Sequence, residues 1–363
     1  MKKPGLTWMA ALAGLGWFVQ PLLFAGPVSL NSAEILRLQN LVSNDTTAAK
    51  LFFQIRTNAD AALPAKANPV ETVVSEGHLE TDPEKIRTTA ALADMNKIES
   101  IAWAWAATGG ARYSDKAHEF ILAWARVNHS DGNPINETKF QPLIIAYDLL
   151  RDTFPEAERT TVDQWLQLKA ERLWKSTKGR TGNWQSHRLK IVGLIGLTVN
   201  DPALWKFASD GYRKQIGMNI APDGSSDDFK KRDALHYHLY SVEPLLTLAL
   251  AGERHGEKLL AYTATNGASL KKAVDFVIPF AEGAKTHVEF ANTTVAFDRQ
   301  RAASGETEYQ PHPWNSNTAI EMFSEAAEFD SSYAKLVAKI SGETNRVLLN
   351  WRMVINAASS NIP

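Results

Sequence analysis

The pattern of apolar and polar positions along the chain predicts pairs of helices joined by short turns. An Ala-rich apolar stretch from Asp94 to Thr108 stops at Gly109-Gly110, and an amphipathic stretch from Asp115 to Val127 follows it. Leu189 to Val199 is likewise apolar, and a more polar stretch follows over residues 204–218. A helix that is apolar on all sides is typical of a buried position, whereas an amphipathic helix has one face in water. Each pair is therefore predicted to be an αα-hairpin with an inner and an outer helix.

A third pair is predicted where the apolar stretch from Glu243 to Glu253 breaks around His255-Gly256 and a short helix follows over residues 258–264. Inner helices paired with outer ones favour an all-α fold, an α/α toroid built as an incomplete barrel of helical hairpins. A helical solenoid is the competing interpretation, but the hairpins do not keep one fixed period. The stretch from Ala281 to Trp314 favours β-structure and predicts a small β-containing segment in the C-terminal third. We expect residues 26–363 to form a single domain.

The first 25 residues have the pattern of a secretory signal peptide. Lys2 and Lys3 precede an uncharged, largely apolar run from Leu6 to Phe24, and a small residue, Ala25, precedes the expected cleavage before Gly26. An uncleaved membrane anchor is the alternative, since the run is about long enough to span a bilayer. Glycine and proline residues interrupt the run and favour cleavage, which predicts a periplasmic or secreted protein.

The composition excludes several classes of function. Hydrophobic residues make up 44% of the chain and charged residues 22%, which is typical of a globular protein. The formal net charge of −1 gives no basic field for a nucleic-acid partner. Cysteine is absent, which excludes disulfides and thiolate metal sites. We expect no cofactor, no membrane contact after signal cleavage, and a monomer or weak oligomer.

A first polar cluster opens the apolar stretch that ends at Val199. In TGNWQSHRLK, Asn183 and His187 are four residues apart, so on a helix they share one face. A carboxamide and an imidazole at the mouth of a buried helix can bind a carboxylate and move a proton. The alternative is an Asn that caps the helix and a His that faces solvent.

A second cluster, RDALHYHLY, runs from Arg232 to Tyr240. A helix that begins near Asp233 would align Arg232, His236 and Tyr240 along one stripe. His236 and His238 would lie roughly 200° apart on such a helix and could not share a metal, although on a strand they would share a face. The alternative is a Tyr- and His-rich helix packed under a loop.

Together these residue types suggest chemistry at a uronic acid. Arg and Asn can neutralise a carboxylate, which makes the adjacent C–H more acidic. A His or Tyr can then remove that proton, and a Tyr can protonate the leaving oxygen. This reaction is a β-elimination, and it requires no metal.

Four segments between Thr81 and Trp314 carry a resemblance to a known family: TDPEKIRTTAALADMNKIESIAWAWAATGG, INETKFQPLIIAYDLLRDTF, GNWQSHRLK and DGSSDDFKKRDALHYHLYSVEPL. In order and character they resemble the alginate lyase superfamily with an α/α-toroid fold. The resemblance implies an exported polysaccharide lyase that acts on alginate, glucuronan or a similar polymer. It implies that Asn183, His187 and Arg232 hold the carboxylate, while Tyr240 or a His acts as base and acid.

The chain departs from the family pattern at two points. The family's adjacent Asn-Asn-His is here Asn183-Trp184-Gln185-Ser186-His187, so the His is displaced by about one helical turn. The family's Arg, seven residues before the Tyr, falls on Asp233, and Arg232 is the substitute one position earlier. These departures indicate a divergent member.

Further residues are expected to bind substrate, from the two clusters and from the INET and FDRQR loops. INET is alternatively a helix start. FDRQR offers Arg299 and Arg301, basic groups that suit an anionic polymer but are equally typical of surface ion pairs. Two other functions remain open: an α/α-barrel glycoside hydrolase using a pair from Asp223, Asp227, Asp228 and Asp233, and a non-catalytic periplasmic polymer-binding or export protein. The predicted substrate-binding residues are His236, His238, Tyr237, Trp184, Arg188, Asn136 and Arg299.

Overall fold

The computed structural model describes residues 28–341, most of which lie in helices. The predicted signal peptide lies outside the described residues. The α-helices of the described range are α1 Ser32–Asn44, α2 Thr46–Ala62, α3 Pro83–Thr108, α4 Ala111–Val127, α5 Pro134–Glu137, α6 Gln141–Leu150, α7 Glu156–Lys175, α8 Gly182–Thr198, α9 Pro202–Asn219, α10 Asp227–Arg232, α11 Leu235–Arg254, α12 Leu270–Asp275, α13 Ile278–Ala281, α14 Ala296–Ala303, α15 Ile320–Ala326 and α16 Ser332–Ser341.

The predicted inner helices are buried as expected. In α8 every residue from Ser186 to Thr198 is buried, and α8 packs against both α9 and α11. Two glycines of α8 permit this close approach. A Cβ on Gly193 would lie 2.4 Å from the Leu248 Cδ1 atom, and one on Gly196 would lie 2.8 Å from the backbone nitrogen of Trp205. The all-α class and the α3–α4 and α8–α9 hairpins are confirmed.

The third predicted hairpin is wrong. Helix α11 ends at Arg254, and residues 258–264 form turns rather than a helix. Glu253 Oε1 accepts a hydrogen bond from the backbone nitrogen of Leu260, and the Ala264 nitrogen donates to the Ala268 carbonyl. These contacts satisfy the backbone of the segment locally, without helical hydrogen bonds.

The predicted β-containing segment is present but very small. Strand β1, Val288–Glu289, pairs antiparallel with strand β2, His312–Pro313. The buried Glu289 carboxylate accepts hydrogen bonds from the backbone nitrogens of Leu235 and His236, at 2.7 and 2.8 Å. A carboxylate at this position satisfies the free N–H groups at the start of α11, and its negative charge interacts favourably with the positive end of the helix dipole. The small sheet thus fixes the start of α11, the helix that carries Tyr240.

No helix between residues 28 and 341 combines the length and the apolar character that crossing a membrane would require.

Candidate active site

Two adjoining cavities open beside the first turns of α8 and α11. The front cavity, of about 640 Å³, is lined by Asn183, Trp184, Arg232, His236 and Tyr237, among others. The rear cavity, of about 360 Å³, is lined by side chains that include His187, Lys190, Glu243 and Glu325. Four residues line both cavities and mark the junction between them: Leu92, Asn96, Lys139 and Tyr240.

Tyr240 stands at this junction between two histidines. Its ring centroid lies 4.2 Å from that of His187 and 6.1 Å from that of His236. The rings of Tyr240 and His236 are almost parallel. Burial raises the pKa of the Tyr240 hydroxyl above its usual value, and the neighbouring Tyr237 adds to the shift. Tyr240 is therefore a neutral phenol at neutral pH, a state suited to donating a proton.

His187 is buried and held in one orientation by Thr138. Its Nδ1 atom lies 2.9 Å from the Thr138 hydroxyl. No described residue hydrogen-bonds its Nε2 atom with good geometry, although the Tyr240 carbonyl lies close to the ring. Pro244, four residues after Tyr240, has no N–H to engage that carbonyl within α11. Burial, together with the charges of Lys190 and Lys139, holds the pKa of His187 well below its usual value. A neutral imidazole with this pKa is a hydrogen-bond donor rather than a strong base.

Asn183 lies one helical turn before His187, as predicted, and its amide is anchored rather than free. Its Nδ2 atom donates to Asp228 Oδ1 at 2.7 Å, while the Ser241 hydroxyl donates to Asp228 Oδ2 at 2.6 Å. Asp228 thus connects α8, α10 and α11 beneath the front cavity. Beside Asn183, Trp184 lines the same cavity, and Gly179 approaches its ring so closely that a Cβ there would lie 2.3 Å away.

Arg232 lines the front cavity, but the helical stripe predicted for it is wrong. Asp233 has a left-handed backbone, φ 49°, and separates α10 from α11. The Asp233 carbonyl accepts from the Phe290 nitrogen, and its carboxylate accepts from Asn292, so tertiary contacts support this conformation. Arg232 is ion-paired with Asp298 and stacks on the Tyr237 ring, 3.8 Å from its centroid.

His236 and Tyr237, predicted to bind substrate, both line the front cavity. The His236 ring is open to the cavity. The cavity walls nevertheless desolvate it and, with the charges of Arg232 and Arg301, lower its pKa to about 4. Its ring is therefore neutral at physiological pH and can stack or hydrogen-bond with a ligand.

Four predicted binding residues lie elsewhere, and each has a structural role instead. His238 is fully buried and bonds Ser226 and the Ala273 carbonyl through its two ring nitrogens, which also removes it from any metal site. Arg188 is fully buried and donates to carbonyls of the loop before α8. Asn136 holds the loop at residues 75–76, which lines the front cavity, through its Oδ1 atom. Arg299 is exposed and donates to the Thr293 carbonyl.

The four aspartates considered for hydrolysis line neither cavity. Asp223 bonds Ser225, Asp227 pairs with Lys231 on the surface, and Asp233 holds Asn292. Asp228 is committed to its two buried hydrogen bonds.

Arg301, the second arginine of FDRQR, lines the front cavity in place of Arg299. It lies between the rings of Phe297 and Tyr309, 4.3 and 4.6 Å from their centroids, and donates to the Tyr309 hydroxyl. No signal in the sequence indicated Lys139, another residue of this cavity, because INETKFQ is typical of an ordinary helix start.

The rear cavity is lined by carboxyl groups and one buried lysine. Burial raises the pKa of Glu243 well above its usual value, and the nearby Glu321 and Glu325 raise it further. Lys190 donates to Gln141, and burial lowers its pKa to about 8. The carboxyl groups can accept hydrogen bonds from sugar hydroxyls, and the Lys190 ammonium can donate to sugar oxygens.

Comparison with known proteins decides the family. The model of the family described as "Alginate lyase" matches residues 44–287, which is most of the chain. This chain belongs to the alginate lyase family.

The relatives show how divergent this member of the alginate lyase family is. A protein of Stenotrophomonas maltophilia named "Polysaccharide lyase" is 27% identical over 189 residues, which cover 51% of this chain. The chain spans about half, 55%, of the length of that relative.

Solved alginate lyase structures share the fold. The structure of an alginate lyase from Bacteroides ovatus superposes with a TM-score of 0.69 at 14% identity, covering 90% of this chain and 99% of that chain. The alginate lyase of Sphingomonas species A1 superposes with a TM-score of 0.55 at 21% identity, covering 73% and 81%. A tyrosine-to-phenylalanine variant of alginate lyase A1-III, complexed with a tetrasaccharide, gives a TM-score of 0.59 at 20% identity and covers 73% and 80%. The predicted α/α toroid is confirmed.

Proposed function

We propose that this protein is an exported polysaccharide lyase that cleaves a uronic-acid polymer by β-elimination. The observation that carries the proposal is the position of Tyr240. It stands at the junction of the two cavities and its ring contacts that of His187. It lines the front cavity together with Asn183 and Arg232. The family membership supports the same reaction class, and the name of the Stenotrophomonas relative supports a polysaccharide as substrate.

The arrangement supports a defined division of roles. The front cavity receives the carboxylate of the reacting sugar, where Arg232 and Asn183 line the wall, and His187 packs against the Tyr240 ring from the rear cavity. Hydrogen bonding and positive charge at the carboxylate stabilise the negative charge that develops when C5 loses its proton.

Tyr240 supplies the proton transfers. It enters as a neutral phenol, takes the C5 proton and gives its own proton to the O4 oxygen. The C4–O4 bond breaks as the C4=C5 double bond forms, so Tyr240 ends in the state in which it began. A neutral phenol is a weak base, and the step therefore depends on neutralising the carboxylate first.

Ultraviolet absorbance of the unsaturated product tests the reaction class. Purified protein lacking residues 1–25 would be incubated with polymannuronate, polyguluronate, glucuronan and a neutral glucan, and reducing ends would be assayed in parallel. We expect absorbance to rise on at least one polyuronate and not on the glucan. New reducing ends without absorbance would contradict elimination and indicate hydrolysis, whereas no product from any polymer would favour a binding protein.

Export rests on the N-terminal sequence pattern. We expect the protein recovered from the periplasm or medium of an expressing bacterium to begin at Gly26 by N-terminal sequencing. A protein that retains Met1 in the membrane fraction would indicate the uncleaved anchor.

A further inference from the structure

The cations that line the front cavity differ in whether an acidic group balances them. Four lysine and arginine side chains line this cavity. Three of the four have acidic partners: Lys85 lies 2.6 Å from Glu80, Arg232 pairs with Asp298, and Arg301 Nε lies 3.7 Å from Glu306. The positive charge of these three groups is thus largely balanced before any ligand arrives.

Lys139 is the fourth, and its ammonium group forms no ion pair or hydrogen bond with any residue between 28 and 341. The Lys139 side chain is open to the cavity; the surrounding walls and the like charge of Lys85 lower its pKa, and the charge of Glu80 opposes this shift. An ammonium group that lines a cavity and has no acidic partner there is available to a carboxylate of a ligand.

The local backbone structure places Lys139 at the junction of the two cavities, which Tyr240 also lines. It lies in a single 3₁₀ turn, Thr138–Phe140. The first residue of this turn bonds the His187 ring, and the last is fully buried against Trp124 and Trp165. A turn anchored at both ends leaves the middle side chain directed at the space between the two cavities, where it lines both.

We propose that Lys139 is the ionic partner of the carboxylate on the sugar that loses its C5 proton. This inference rests on the proposed lyase function and identifies the charge that this function requires. His187 is neutral, the Asn183 amide already donates to Asp228, and the charge of Arg232 is balanced by Asp298. Lys139 therefore supplies the uncompensated positive charge, and it stays protonated throughout while the C5 proton passes to Tyr240.

Charge-conserving and charge-removing variants test the assignment on the polyuronate that the wild-type protein cleaves. We expect Lys139→Ala and Lys139→Gln to lower kcat/KM by about 10²–10³-fold, the range for removing one group that stabilises a developing anion. Lys139→Arg should stay within about tenfold of wild type, because it keeps the charge. Lys206→Ala is the matched control, since Lys206 is exposed on α9, away from both cavities, and pairs with Asp210.

A methyl-esterified form of the same polymer separates charge neutralisation from a general effect on the site. The ester carries no charge, so the ratio of wild-type to Lys139→Ala activity should collapse to within about tenfold. An equal loss on acid and ester, or a Lys139→Ala variant within threefold of wild type on the acid, would overturn the inference and leave the lyase assignment standing. No absorbance rise with the wild type on any polyuronate would overturn the lyase assignment, and the inference with it.

Discussion

Replacing Asp228 by Ala should weaken both the fold and the candidate site, because one buried carboxylate joins three helices there. Asp228 is 8% exposed and accepts from Asn183 at 2.7 Å and from Ser241 at 2.6 Å. Removing it leaves two buried donors without partners. Each such donor costs about 1–3 kcal/mol, so the unfolding free energy should fall by roughly 2–6 kcal/mol. That loss is large against the roughly 5–15 kcal/mol of a typical domain.

The adjacent residue provides a matched control. Asp227 lies in the same helical turn, but it pairs with Lys231 in solvent, at 2.9 Å and with half or more of each side chain exposed. Asp227→Ala should therefore cost no more than about 0.5 kcal/mol. Asp228→Asn should fall between the two, because an amide keeps one acceptor and turns its N–H₂ toward the other donor.

Urea unfolding followed by circular dichroism would measure these differences, and the ultraviolet assay would measure kcat/KM. We expect Asp228→Ala to lose activity even where it is folded, since Asn183 is then free to rotate out of the front cavity. A stability loss below 1 kcal/mol together with unchanged kinetics would refute the view that Asp228 holds Asn183 in place.

Three further outcomes are expected. Lys169→Met should lower the unfolding free energy, measured in urea, by about 3–5 kcal/mol, because it leaves the buried Glu137 carboxylate unpaired. Adding Glu137→Gln should restore part of this loss; a double variant whose loss is the sum of the two single losses would argue against the pairing. Stability should fall by up to roughly 3 kcal/mol as the pH decreases from about 6.5 to 4, because burial lowers the pKa of His238 to about 4 and only the unfolded chain takes up its proton in that window. Urea titrations across this range should show a shallower fall for His238→Gln, and an equal slope would contradict the assignment. Gly179→Ala should raise KM for the polymer, because φ is +54° and the new Cβ would displace the Trp184 ring; an unchanged KM would indicate that this ring does not contact substrate.

The helices that could be predicted from the sequence are those whose burial follows from local pattern. Asn183 and His187 share a face because both lie within one uninterrupted helix, so their spacing alone determined their relation. Helix geometry also separates His236 from His238 by roughly 200°, so only one of them could face the cavity. The angle alone does not show which of the two is buried; in the structure it is His238.

The break at Asp233 and the importance of Lys139 could not be predicted in this way. The left-handed backbone of Asp233 depends on contacts with residues 287–292, which lie more than fifty positions away in the chain. Lys139 resembles any surface lysine until the folded structure shows that its neighbours in the cavity are already paired. Both features depend on tertiary contacts, which a local pattern does not encode.

The most direct test of the proposed reaction compares wild type with Tyr240→Phe on the polyuronate that gives the largest ultraviolet signal. The substitution removes one hydroxyl and keeps the ring that packs against His187, so we expect an unchanged fold and a loss of kcat of about 10²–10⁴-fold. A Tyr240→Phe variant that forms the unsaturated product at the wild-type rate would contradict the central role of Tyr240.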